Sequence, residues 1–144
     1  MPGLKISPVS FCSSLQKTSL LIFKEEIKKL YDLCEKYHVI LISDEIHCDI
    51  VDPGYEYCSA LSVNDSVITC LSPGKVFNLA GIHSAVVVAK NDKYHKLLQL
   101  AFYRDDIGEP NYFAIPATIA AYTKGANYVD ELNQYLYKNK QYVY

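Results

Sequence analysis

The feature that most constrains the fold is the apolar segment Val39–Ser43, which reads VILIS and directly follows a helical segment. The helix is predicted from apolar residues at helical spacing: Ile27, Leu30, Tyr31 and Cys34. A short, continuous run of apolar and β-branched residues is typical of a strand buried on both faces. Such strands occur in parallel sheets that helices cover on both sides. The segment therefore predicts an α/β fold.

The remaining elements fit the same architecture. Residues 45–66 are long enough for a crossover between parallel strands, with Pro53 and Gly54 at a turn. Further strands are predicted at Val9–Cys12, Val67–Leu71 and Ala85–Ala89. Helices are predicted at Lys24–Tyr37, Asp92–Tyr103, Asn111–Tyr122 and Asn127–Lys138. We therefore predict a mostly parallel sheet flanked by helices, in one domain or part of one.

Composition excludes several classes of function. The net charge is −2 and Arg104 is the only arginine, so no basic surface for nucleic acid or an anionic membrane is expected. No apolar run is long enough to span a bilayer, and the first residues lack the apolar stretch of a signal peptide. The five cysteines form no C-x-x-C pair, which indicates reduced thiols in a cytoplasmic protein.

A lysine and an aspartate each follow a predicted strand. Lys75 comes after Val67–Leu71, behind the turn formers Pro73 and Gly74, and Asp44 comes after the VILIS strand. If the two strands are parallel neighbours, both side chains lie at the carboxyl edge of the sheet, where open α/β folds bind ligands. A lysine that is desolvated there has a lowered pKa and can attack a carbonyl group.

The polar residues after the VILIS strand allow three interpretations. They are Asp44, Glu45, His47, Cys48 and Asp49. They could form a solvated strand exit, a metal site of carboxylates and imidazole, or a carboxylate partner for a cationic ring nitrogen. The third interpretation, combined with Lys75, suggests a site for pyridoxal phosphate (PLP). In that site His47 could contact the ring's phenolic oxygen, and the hydroxyl of Ser72 could contact the phosphate.

Three motifs together resemble a known family. SDEIHCDIVDPGY (43–55), SPGKVFNLAG (72–81) and GEPNYFAIPATIAAYTKG (108–125) are similar to the fold-type I PLP-dependent aminotransferase superfamily, class I/II. Within it the chain resembles most the cystathionine β-lyase-like C–S lyases. The resemblance extends from about Phe11 onward. It implies an enzyme that acts on amino acids of the cystathionine or cysteine-conjugate type, is a homodimer and uses PLP.

The resemblance also implies roles for individual residues. Lys75 corresponds to the lysine that forms the Schiff base and moves protons, and Asp44 to the partner of the pyridinium nitrogen. His47 lies where relatives contact the ring oxygen, and Ser72 matches a hydroxyl that binds the phosphate. Gln16 falls where relatives have an asparagine that contacts the ring oxygen.

The chain also departs from the pattern of the family. Relatives are much longer, so residues 1–144 are interpreted as one partial domain, the central part of the large domain. Relatives commonly have a serine at the position of Gly74, and Arg104 does not match the arginine that holds the substrate carboxylate. These departures keep two alternatives open. One is a catalytically inactive remnant or self-associating module, and the other is a metal-binding module.

Overall fold

The computed structural model of the protein describes residues 9–13 and 24–143. In these ranges the strands are β1 (Val9–Ser13), β2 (Ile40–Asp44), β3 (Ile68–Leu71) and β4 (Val86–Ala89). The helices are α1 (Lys24–Lys36), α2 (Asp92–Arg104), α3 (Ala114–Lys124) and α4 (Ala126–Val143). Short 3₁₀ turns lie at Ala60–Ser62 and Ala80–Ile82. Each predicted strand and helix is therefore present, with shifted ends.

The four strands form one sheet in the order β1-β2-β3-β4. The pairs β1–β2 and β2–β3 are parallel, whereas β4 pairs antiparallel with β3. This confirms the α/β fold and the mostly parallel sheet. Because β2 and β3 are parallel neighbours, their carboxyl ends share one edge of the sheet.

Helix α1 ends in a tight cap that leads directly into β2. His38 adopts a left-handed conformation with φ 56°. Its N–H donates to the carbonyl of Glu35 at 3.1 Å, and the Val39 N–H donates to the carbonyl of Cys34 at 2.8 Å. This is the Schellman arrangement, which satisfies carbonyls that the helix leaves unpaired and reverses the chain. The cap therefore sets the end of α1 and the start of β2.

One face of β2 packs into the hydrophobic core. The core residues come from α1, β2, the first 3₁₀ turn and the residue before β3: Ile27, Cys34, Leu41, Ala60 and Val67. Leu41 and Ser43 are buried, whereas the residues of the opposite face are half-buried. The prediction that β2 is buried on both faces is therefore wrong for this second face, which the described residues cover only in part. The predicted apolar face of α1 is confirmed.

Helix α3 begins later than predicted because Asn111 makes a side-chain turn. The Oδ1 atom of Asn111 accepts a hydrogen bond from the Phe113 N–H at 2.9 Å, and its Nδ2 donates to the carbonyl of Ile82 at 2.7 Å. Such local side-chain bonds compete with helical backbone bonds. The helix therefore starts at Ala114, and its entry is tied to the second 3₁₀ turn.

Across the described ranges, no helix combines the length and the apolar character that a membrane crossing requires.

Candidate cofactor site

The register of the sheet brings Asp44 and Lys75 to the same edge. Asp44 is the last residue of β2 and lies opposite Cys70 of β3. Lys75 lies in a turn over residues 73–77, directly after β3 ends at Leu71. The predicted placement at one carboxyl edge is therefore confirmed for the backbone positions of both residues.

The turn that carries Lys75 directs its neighbours inward and its amine outward. The Phe77 N–H donates to the Pro73 carbonyl at 3.1 Å, and the Asn78 N–H donates to the Lys75 carbonyl at 3.3 Å. Pro73 is buried and Val76 is only 1% exposed. The side chain of Lys75 is exposed, so the desolvation predicted for it is not produced by the described residues.

A cleft of about 400 Å³ opens beside this turn. Its lining includes Lys75, Ser72, His83 and Ser84 as polar residues. Apolar walls come from residues such as Ile46 and Leu79. The volume is within the range of small-molecule sites, about 300–1,000 Å³. An amine, hydroxyls and an imidazole on apolar walls fit an anionic ring that carries a carbonyl group, so the donor set is compatible with PLP.

Asp44 and His47 lie beside this cleft rather than in its lining. Asp44 is half-buried, and its Oδ1 accepts a hydrogen bond from the Ile46 N–H at 3.2 Å. That bond starts the turn over residues 46–49, in which His47 is exposed. Ile46, between the two residues, does line the cleft. The structure therefore brings both predicted residues to the edge of the sheet at which Lys75 lies.

Glu45 points into the protein interior, away from its polar neighbours. It is 2% exposed, and its Oε1 accepts a hydrogen bond from the Ala60 N–H at 2.9 Å. His47 lies in the turn over residues 46–49 and is exposed, so the buried Glu45 does not converge with it. In residues 24–143, no group of three or more His, Cys, Asp or Glu side chains could hold a metal ion. The geometry gives the metal-binding alternative no support.

The hydroxyl of Ser72 is already engaged within the chain. It donates to the carbonyl of Ser84 at 2.6 Å and accepts from the Gly74 N–H at 3.0 Å. A Cβ atom at Gly74 would lie 3.1 Å from this hydroxyl oxygen, so a side chain at this position would crowd it. A phosphate contact therefore requires the Ser72 proton to turn away from Ser84. Gln16 lies outside the described residues.

Two cysteines near the site are held as thiols. Burial and the charges of Asp49 and Glu45 raise the pKa of Cys48 to about 12. Burial, with the charges of Asp44 and Glu45, also raises the pKa of Cys70. A thiol with a raised pKa is a poor nucleophile at neutral pH. Neither cysteine is therefore expected to act as a nucleophile in the site.

Helix α4 supports the loop after β2 through residues that the sequence analysis did not identify. The Nδ2 of Asn133 donates to the Asp49 carbonyl at 3.0 Å, and its Oδ1 accepts from the Val51 N–H at 3.3 Å. Lys140 forms an ion pair with Asp52. These partners are more than 80 residues apart, and no local sequence signal joins them.

The fold is thus that of an α/β protein with a lysine-containing cleft at the carboxyl edge of its sheet. Residues 18–144 match the family described as aminotransferase class I and II. The chain belongs to this family.

Individual relatives show which members of the family the chain is similar to. The chain is 33% identical over 120 residues to the cystathionine β-lyase PatB of Bacillus subtilis, covering 81% of this chain and 31% of PatB. It is 32% identical over 136 residues to the protein MalY of Escherichia coli, covering 92% of this chain and 34% of MalY. The chain therefore spans about a third of the length of these relatives.

Solved structures show the same fold. A PLP-bound protein of Clostridium difficile 630, described as an aminotransferase, matches with a TM-score of 0.86 and 35% identity, over 96% of this chain and 38% of that chain. The PLP-bound C–S lyase of Staphylococcus hominis matches with a TM-score of 0.83 and 29% identity, over 94% and 35%. These matches confirm the predicted family and fold, and they favour neither the remnant nor the metal-binding alternative.

Proposed function

We propose that the protein provides the PLP-binding core of a C–S β-lyase or aminotransferase that acts on amino acids of the cystathionine or cysteine-conjugate type. One observation carries the proposal: exposed Lys75 follows β3 in the turn beside the cleft, and Asp44 ends the neighbouring parallel strand β2. PLP-bound relatives with the same fold support it. Because the chain covers about a third of its relatives, we propose that residues 1–144 are one partial domain.

The proposed roles are those that the family resemblance implies for the residues at this edge of the sheet. PLP, when bound, supplies an electron sink for negative charge at the α-carbon of the substrate. The Nζ atom of Lys75 would hold the cofactor and move the proton of that carbon. The carboxylate of Asp44 would hold a proton on the ring nitrogen, because opposite charge favours the protonated form. The imidazole of His47 would contact the ring's phenolic oxygen.

The phosphate and ring contacts are the second part of the proposal. Ser72 lines the cleft and would offer its hydroxyl to the phosphate after releasing the carbonyl of Ser84. Gln16 would contact the ring oxygen through its amide, as the family resemblance implies. A Ser72→Ala variant should therefore weaken PLP binding, and the comparison with phosphate-free pyridoxal isolates the phosphate contact.

We also propose a cytoplasmic location and a homodimer. Among the described residues, Cys34, Cys48, Cys58 and Cys70 form no disulfide, which is typical of a reducing compartment. Large apolar side chains that include Tyr103, Tyr112 and Phe113 are exposed on the described surface, and such surface favours association. Sedimentation equilibrium of the purified chain at several concentrations tests the homodimer.

The decisive experiment is a PLP titration followed by borohydride reduction and peptide mapping. We expect a visible absorbance band, with the reduced cofactor attached to Lys75. Lys75→Ala should abolish the band, and Lys93→Ala, which removes an exposed lysine of α2, should retain it. Asp44→Asn should weaken binding while attachment at Lys75 persists.

Other outcomes separate the parts of the proposal. Equal labelling of Lys75 and Lys93 in wild type would show nonspecific reaction of surface amines and would refute the PLP site. If the site binds PLP, added cystathionine distinguishes the two activities. A lyase releases a free thiol, and an aminotransferase converts an added keto acid to an amino acid.

A further inference from the structure

Helix α4 contacts the loop after β2 through two side chains on one of its faces. The side chain of Asn133 is half-buried and forms hydrogen bonds with the backbone of Asp49 and Val51. Lys140 lies about two helical turns further along α4, and therefore on the same face. It forms an ion pair with Asp52. One face of α4 therefore runs along this part of the loop.

The amide of Asn133 holds the backbone on both sides of Ile50. Its Nδ2 donates to the carbonyl of Asp49 at 3.0 Å, and its Oδ1 accepts from the N–H of Val51 at 3.3 Å. A rotated amide would place two donors together and two acceptors together, so only one orientation satisfies both bonds. A single side chain therefore fixes the two peptide groups that flank Ile50.

A continuous chain of hydrogen bonds extends this contact to His47. The N–H of Ile50 donates to the carbonyl of His47 at 3.0 Å and closes the turn that contains His47. This N–H and the carbonyl of Asp49 belong to the same planar peptide group, so their directions are fixed relative to each other. The amide of Asn133 therefore constrains the backbone of His47 through one intervening peptide group.

We propose that Asn133 is a positioning residue that fixes the loop carrying His47 in the orientation in which the imidazole reaches the bound cofactor. Asn133 does not belong to the lining of the cleft, so it acts through the backbone of the loop. The inference rests on the proposed function, which gives the ring contact to His47. It extends the site to helix α4, which otherwise contributes no residue to it.

The two contacts of α4 should differ in how strongly they orient His47. Hydrogen bonds weaken steeply away from their preferred angles, so the amide of Asn133 fixes the direction of the peptide groups that it binds. The ion pair between Lys140 and Asp52 joins two partly exposed side chains, which constrain the backbone little. Loss of Asn133 should therefore affect His47 more than loss of Lys140.

Amide hydrogen exchange by NMR tests the hydrogen-bond chain without cofactor. Asn133→Leu keeps the approximate size of the side chain and removes both bonds, so the amides of Ile50 and Val51 should exchange about fivefold faster. Lys140→Met should accelerate the Ile50 amide less than about twofold. Asn139→Leu, at an exposed position of α4, is the matched control and should change neither amide.

A double-mutant cycle for PLP binding separates positioning from general stability. Asn133→Leu should raise the dissociation constant of PLP about fivefold, with attachment still confined to Lys75. In a His47→Ala background the same substitution should change it less than about twofold, because the group that Asn133 positions is gone. In a Ser72→Ala background the effect should remain about fivefold, because Ser72 follows the other strand, β3.

The two experiments distinguish failure of the proposed function from failure of this inference. A wild-type chain that binds no PLP would refute the proposed function. Unchanged exchange of the Ile50 amide in Asn133→Leu would refute the positioning role. An equal loss of PLP affinity with and without His47 would also refute it, because Asn133 would then act on the fold as a whole.

A second variant covers a failure of Asn133→Leu to fold. Asn133→Asp has nearly the same shape and keeps an acceptor for the N–H of Val51, but its carboxylate cannot donate to the carbonyl of Asp49. The Ile50 amide should therefore exchange faster in this variant as well. Exchange at the wild-type rate would overturn the inference.

Discussion

The two strand exits that form the site are built in different ways. After β2, the buried residue is the charged Glu45, whose carboxylate binds the Ala60 N–H. After β3, the buried residue is the apolar Val76, and Phe77 packs between aromatic rings. Each exit places a buried side chain near an exposed one that could bind the cofactor. One loop is therefore held by directional hydrogen bonds and the other by packing.

This difference determines how strongly a substitution should destabilise each loop. A hydrogen bond from a buried backbone N–H cannot be replaced by a neighbouring group without the correct geometry, and an unpaired buried donor is costly. An apolar contact loses free energy in proportion to the area and volume removed, and neighbours can partly close the gap. The loop after β2 should therefore be more sensitive to a single substitution.

The largest effect is expected from Glu45→Ala. The substitution leaves the Ala60 N–H without its partner and empties the space of the side chain, so we expect a loss of about 3 kcal/mol in the free energy of unfolding. Urea denaturation measures it. Glu56→Ala removes an exposed carboxylate of the same crossover and should cost less than about 0.5 kcal/mol. Equal losses in the two variants would contradict the stabilising role of the hydrogen bond between Glu45 and Ala60.

Val76→Ala tests the apolar packing that holds the turn after β3. The side chain is 1% exposed, so deleting two methyl groups should cost about 2 kcal/mol. The loss should be accompanied by faster amide exchange in the turn over residues 73–77. Val143→Ala, at a position 80% exposed on α4, serves as control and should be close to neutral. A loss larger than that of Glu45→Ala would mean that the turn held by packing is more sensitive to substitution than the loop held by hydrogen bonds.

The sequence predicted the sheet edge well because its signals are local. The apolar run of β2, the turn formers Pro73 and Gly74 and the intervening crossover each depend on nearby residues. They sufficed to place Asp44 and Lys75 on neighbouring parallel strands, which the register confirms. Strand β2 ends at Asp44, one residue later than predicted, because Asp44 still pairs with Cys70 of β3.

The supports of the two loops could not be predicted from the sequence. Asn133 binds a loop more than 80 residues away, and Tyr122 contacts a ring 45 positions earlier. Their positions in the chain do not distinguish them from other polar and aromatic residues of α3 and α4. Only the tertiary packing selects them. The exposure of Lys75 was missed for a related reason, since an apolar neighbourhood in sequence does not show which side chain faces the interior.

Asn133→Ala tests whether α4 holds the loop after β2. It removes two hydrogen bonds, to Asp49 and Val51, that are only partly buried, so we expect a loss of about 1 kcal/mol. The Val51 amide should exchange several-fold faster, while the amide of Phe77 remains unchanged. Asn139→Ala, at an exposed position of α4, should change neither quantity. Faster exchange at both Val51 and Phe77 would show that the two loops are not supported separately.

The smallest effect, and the one that best separates charge from packing, is the pH dependence contributed by Asp49. Burial raises the pKa of its carboxyl above the ordinary value of an aspartate. Below that value the carboxyl is protonated in both states. As pH rises, the unfolded state loses the proton first, so the native state loses stability until pH exceeds the native pKa. The stability of wild type relative to Asp49→Asn should therefore fall as pH rises through this window and stay constant above it.

Urea midpoints of both proteins from about pH 3 to pH 7 measure the difference, with Asp130→Asn as the exposed control. A relative stability that rises with pH would mean that Asp49 is held as a carboxylate by a cation.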